Sequence, residues 1–99
     1  MYFFAFSIKK PVTNPIGKMI AFASCWIDES ARDKARIRAE EMKAEEGWSS
    51  EAIIEDHVVT RLDYSPTDDN LDYYEQALQD GEVMVIYLAG PRGKLGIVT

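Results

Sequence analysis

Three stretches of this chain, 2–8, 18–27 and 83–88, set apolar side chains on both faces of an extended strand. Successive strand residues point to opposite faces. In the first stretch Tyr2, Phe4, Phe6 and Ile8 therefore oppose Phe3, Ala5 and Ser7. In the second, Ile20, Phe22, Ser24 and Trp26 oppose Met19, Ala21, Ala23, Cys25 and Ile27. Residues 83–88 are apolar throughout, as a central strand requires. A sheet made of these strands needs cover on both sides, and the supply of cover becomes the main question about the fold.

The intervening residues supply helices. Ser30, with Asp33 three positions on, predicts a helix start, and Ala31, Ala35, Ala39 and Met42 recur at helical spacing until Gly47. Ser65-Pro66-Thr67 opens a second helix over 68–80, with Leu71, Tyr74, Ala77 and Leu78 as its inner stripe and Asp80-Gly81 as its end. Between the helices, 51–63 reads as an edge strand with Glu55, His57, Arg61 and Asp63 on its polar face. Asp56 falls on its apolar face, which predicts a bulge there. Pro11, Pro15 and Gly17 predict a loop over 10–17. Residues 90–99 are expected as a loose tail or a hairpin ending in a short strand at 95–98.

The expected fold is thus a single α+β domain over 1–99, a two-layer sandwich in ββαβαβ order. Strand-helix-strand crossovers share one hand, which predicts a four-stranded mixed sheet with both helices on one face, a possible short fifth strand, and strands one and four at the centre. The order is similar to a ferredoxin-like plait, except that a loop stands where a plait has its first helix. Glu29-Ser30-Ala31-Arg32-Asp33-Lys34-Ala35, followed by Glu45-Glu46-Gly47-Trp48, resembles a family of short bacterial proteins with no assigned activity. That resemblance covers about half the chain and implies no functional site.

Charge and cysteine content narrow the functional classes. Cys25 is the only cysteine, so no internal disulfide or cysteine-based zinc site can form, and a reducing, cytoplasmic setting is expected. In the apolar start, Lys9 and Lys10 follow the run, where a signal peptide has its positive residues first. No run approaches the roughly 20 apolar residues of a membrane span. Between Arg61 and Arg92 there is no Lys or Arg, while Asp63, Asp68, Asp69, Asp72, Glu75, Asp80 and Glu82 accumulate negative charge. A nucleic-acid partner is therefore not expected.

If both helices lie on one face, the other face is bare, and homodimerisation through Phe3, Phe22, Trp26 and Tyr87 is the leading expectation. Asp68, Asp72 and Glu75 share an acidic helix face suited to a basic protein partner, as in an inhibitor or immunity-type protein. A third expectation is a small apolar or aromatic ligand on the open face, anchored by His57, Arg61 or Arg92. Asp68, Asn70 and Asp72 imitate the start of a calcium loop, but Tyr73 replaces its glycine and Gln79 its bidentate Glu. Gly90-Pro91-Arg92-Gly93-Lys94 lacks the helix and hydroxyl of a phosphate loop. No metal or cofactor is expected. A Cys25–His57 pair is the only catalytic combination in view, and Cys25 reads as a buried hydrophobe, so a non-catalytic interaction module is preferred.

Overall fold

The computed structural model describes residues 1–13, 16–88 and 94–98, with side chains over 1–10 and 20–87. Strands β1 (Tyr2–Thr13) and β2 (Ile16–Ile27) form a long hairpin, in register from Tyr2 opposite Ile27 to Thr13 opposite Ile16. Helix α1 (Arg32–Glu45), strand β3 (Ser49–Val58), a 3-10 turn (Arg61–Asp63), helix α2 (Asp69–Asp80), β4 (Glu82–Leu88) and β5 (Lys94–Val98) follow. The sheet order is β3-β1-β2-β4-β5, four long strands and a short fifth at one edge, and every pairing is antiparallel. The mixed sheet expected from sequence is thereby corrected, and the central strand is β2, not β1 or β4.

The hairpin runs further into the proline-containing segment than the expected loop allows. Pro11 is part of β1 and pairs with Lys18, two residues beyond Lys9, where the β1–β3 ladder ends. On that flank the strand has no ladder for an imino residue to interrupt.

The largest correction concerns the helices, which cover opposite faces. Ala35, Ala39 and Met42 of α1 pack on Phe4, Phe6, Ile8, Ala21, Ala23 and Cys25. Tyr73 and Ala77 of α2 pack on Trp26, Val83 and Val85. The topology explains why handedness did not hold the helices together. Strands β2 and β3 are both antiparallel to β1, hence parallel to each other, and α1 is the crossover between them. Strand β4 is antiparallel to β2, so α2 joins antiparallel strands, and the handedness rule for parallel crossovers does not bind it. It goes where apolar surface remains. The arrangement is an α/β/α layering, unlike a plait, which keeps its helices together.

Local chemistry sets the ends of both helices. The first residue before α1 is Ala31, whose N–H donates to Glu29 Oε1 at 3.1 Å, so Glu29 and not Ser30 satisfies the free end. Gly47, at φ 81°, reverses the chain and lets the Trp48 N–H donate to the Lys43 carbonyl at 3.0 Å, which drops the buried Trp48 ring onto the core. Asp68 caps α2 by accepting from the Asn70 N–H at 2.9 Å, and Gly81, at φ 91°, closes it. Of the expected inner stripe Leu71, Tyr74, Ala77 and Leu78, Ala77 is buried, Leu71 and Tyr74 are half-buried and Leu78 is exposed, while Tyr73 is the other buried residue of α2.

Strand β3 is an edge strand, as its alternation predicts, with every residue exposed except the half-buried Asp56. Its bulges fall at Ile54 and Glu51, where the register with β1 shifts, and not at Asp56. Asp56 stays opposite Phe4 on the α1 face because Arg32 reaches it from the helix, Nε donating to Oδ1 at 3.1 Å while Nη2 meets Oδ2. A carboxylate so placed needs a partner more than a bulge.

Candidate functional site

The α2 face carries an aromatic cluster around Trp26. Trp26 is only 1% exposed, with Phe3 beside it at 5.0 Å and Tyr73 above it at 5.4 Å between ring centroids. Its indole N–H donates to the Tyr64 hydroxyl at 2.9 Å, so the one polar atom of the ring is satisfied. Burial pushes the Tyr64 phenol up from its ordinary value, against the opposing effect of the Trp26 hydrogen bond, and the hydroxyl stays protonated. Tyr74 of α2 stacks at a tilt on Tyr64, 5.9 Å away.

Where the 3-10 turn and α2 fail to close over β1 and β3, a cleft of about 220 Å³ opens. Phe3, Trp26, Val59 and Tyr64 form its apolar walls. Glu55, His57, Asp63 and Asn70 supply its polar groups. His57 sits opposite Phe3 in the register, its ring 5.6 Å from the phenyl. Its Nε2 meets Glu55 Oε1 at 3.0 Å and its Nδ1 lies 3.4 Å from the Val58 carbonyl. The Glu55 hydrogen bond raises the His57 pKa above 6.5, with partial burial working in the opposite direction. Asp63 is fixed by accepting from the Thr60 N–H at 2.6 Å.

Among the residues proposed from sequence, the structure brings some together and separates others. Phe3, Phe22, Trp26 and Tyr87 do share one face, but α2 roofs part of it. Trp26 is removed from the surface and Phe3 is half-buried, while Phe22 remains 41% exposed opposite a half-buried Tyr87. The premise of a wholly bare face is overturned, because each face has a helix of its own. Of the acidic set, Asp68 is spent on capping, and Glu75 receives both Nη atoms of Arg61, at 2.7 and 3.0 Å. Two residues put forward for different partners, Arg61 and Glu75, thus pair with each other, and Asp72 stays exposed on α2. Arg92 and the tail expected at 90–99 fall outside the described side chains.

The Cys25–His57 pairing is excluded by the sheet itself. Cys25 is buried on the α1 face, while His57 lies with Phe3 on the α2 face. Burial pushes the Cys25 thiol up to about 12, with the charge of Lys43 opposing weakly, so no thiolate is available near neutral pH. Among the described residues no group of three His, Cys, Asp or Glu side chains is placed to hold a metal ion, and no helix is long and apolar enough to cross a membrane.

Tyr64, Asp63 and Asn70 were not singled out from sequence as one site. Their only signal is the turn chemistry of 60–70, which says nothing about which sheet face the turn will meet. Lys43 was missed too. It is 1% exposed, its ammonium 2.9 Å from Glu40, in contact with Ser50 Oγ, and 3.4 Å from the centre of the Phe6 ring. It ties α1 to β3 and has no open side. No family model, no curated protein and no solved structure matches the chain.

Proposed function

We propose that this chain is a non-catalytic binding domain whose site is the aromatic cleft between β1, β3 and the turn before α2. The observation that carries the reading is the convergence of Phe3, Trp26 and Tyr64 with the His57–Glu55 pair around one cavity. At about 220 Å³ the cleft is smaller than a drug-sized pocket and suits a single ring. Its polar rim has two carboxylates, Glu55 and Asp63, against one imidazole. The ligand that fits is therefore a small ring compound bearing an N–H donor, stacked on Phe3 and accepted by Glu55 or Asp63. Arg61 is withdrawn from this role by Glu75, and among the described residues His57 is the basic anchor that lines the cleft.

A panel of single-ring amines, phenols and carboxylates tests the reading. Ring amines should raise the melting midpoint with concentration and shift the Trp26 indole N–H resonance, and Phe3→Ala should weaken both effects. Carboxylates binding in preference to amines would move the anchor from Glu55 to His57. If no compound at millimolar concentration moves the Trp26 resonance, the cleft is not a ligand site.

A further inference from the structure

The apolar surface left over by the two helices is concentrated on an edge. Of the large hydrophobic side chains exposed among the described residues, Ile53, Ile54, Val58 and Leu62 come from β3 and the turn directly after it, with Ile54 at 54% and Val58 at 57% exposure. Strand β3 ends the sheet, and its outer backbone has no partner strand among the described residues. Natural edges are defended by lysine, proline or unpaired charge. The strand reads SSEAIIEDHV, with no Lys, Arg or Pro. Its acids are each met by a partner of the same chain: Glu51 by the Lys9 ammonium at 3.7 Å, Glu55 by the His57 imidazole at 3.0 Å, and Asp56 by the Arg32 guanidinium. What remains as defence is the bulging at Glu51 and Ile54; Glu55–Val58 is the regular stretch, and Ile54 borders it.

We infer that β3 pairs antiparallel with β3 of a second copy of this chain, about a twofold axis at Asp56. The occupant is argued from the strand's own pattern. A twofold at Asp56 sets Ile54 against Val58 and Glu55 against His57, and symmetry repeats each pair. Apolar meets apolar, and acid meets imidazole. Asp56 faces its own copy, but each carboxylate is already neutralised by the Arg32 of its own chain. An axis perpendicular to the sheet keeps α1 on the same side in both copies and makes one continuous sheet. The short stretch available implies a reversible, micromolar dimer, at the weak end of specific interfaces. This inference does not depend on the ligand cleft, and it places self-association at the sheet edge.

The test is the mass of the full chain across a dilution series, by light scattering and sedimentation equilibrium. A monomer–dimer equilibrium is expected. The I54K/V58K variant should keep its circular dichroism and raise the dissociation constant about tenfold or more. Register is read separately, so that a poorly folding lysine variant does not decide the matter. Mixing Ile54→Cys protein with Val58→Cys protein under mild oxidation should give a cross-linked dimer, whereas either alone should give no more than Leu62→Cys protein. In the inferred register two copies of residue 54 stand about 13 Å apart, too far for a disulfide. Cys25 is buried and does not compete. A chain that stays monomeric at the highest concentration overturns the inference. So does cross-linking with no preference for the mixture, or a dimer that Phe22→Ser splits and I54K/V58K does not.

Discussion

The two faces of the sheet solve the same burial problem with different materials. Under α1 the helix meets the sheet through small side chains, Ala35 and Ala39 with Ala21 and Ala23 on β2, in a core that also holds the stacked rings of Phe4 and Phe6. Small residues let a helix approach closely, and the ion pairs from Arg32 to Asp56 and Arg38 to Glu82, with the Lys43 contact to Ser50 Oγ, tie α1 to the strands. Under α2 the contact is aromatic, with Trp26, Tyr73, Phe3 and Tyr64 stacked at tilted angles. Large rings carry polar tips that need partners, and a cleft remains where they do not meet. On the α2 side the stacked rings keep space at their margin.

Substitution at the centre of the aromatic face should have the largest effect. Trp26→Ala removes a fully buried ring from between Phe3 and Tyr73, and should cost about 3–5 kcal/mol in chemical denaturation. On the same strand and face, Phe22→Ala should cost about 0.5 kcal/mol or less, because Phe22 lies beyond the cover of α2. Equal losses would mean that α2 does not divide that face as described. On the opposite side, Ala39→Leu puts a large side chain into a contact built for methyl groups and should cost about 1–3 kcal/mol. If Ala39→Leu is neutral, the α1 face is looser than its small residues imply and the contrast between the faces fails. Next in size is Tyr64→Phe. It leaves the buried Trp26 N–H without its acceptor, a loss of about 1–3 kcal/mol in thermal or urea unfolding.

Much of this contrast was legible in the sequence, and the limit on reading it is physical. Period-two alternation fixed which residues of β1 and β2 share a face, and the register agrees, with Phe3 opposite Trp26 and Phe4 opposite Cys25. Alternation carries no information about which helix covers which face. That depends on whether the strands flanking a helix are parallel, and so on the whole strand order. The reading of Cys25 as a buried hydrophobe followed from its neighbours in β2, whereas the burial of Lys43 needed Glu40, Ser50 and Phe6 brought together from separate elements. The acidic run of 63–82 was visible as composition. That Asp68 would cap α2 and Glu75 would take Arg61 became visible only with the helix in place. The cleft residues Asp63, Tyr64 and Asn70 follow β3 in the chain, and only the fold turns them back over Trp26.

A further small effect separates the faces by pH, because His57 is the chain's only histidine and it belongs to the α2 face. Its hydrogen bond to Glu55 raises its pKa above 6.5 in the folded chain. Between 6.5 and the raised value the folded state binds more protons than the unfolded one, so stability falls as pH rises through that interval. The contribution is complete below pH 6.5 and gone above the raised value. With half of each side chain exposed to water, the pair is screened and should contribute about 0.2–1 kcal/mol, as surface ion pairs do. Glu55→Gln should lower the His57 titration, followed by the imidazole proton resonances, toward its ordinary value and reduce the slope of stability across pH 6–8. Ala39→Leu, on the other face, should lower stability equally at every pH in that range. A pH slope that survives Glu55→Gln would place its source outside the cleft, and the pairing that shapes the polar rim of the site would have to be assigned to another residue.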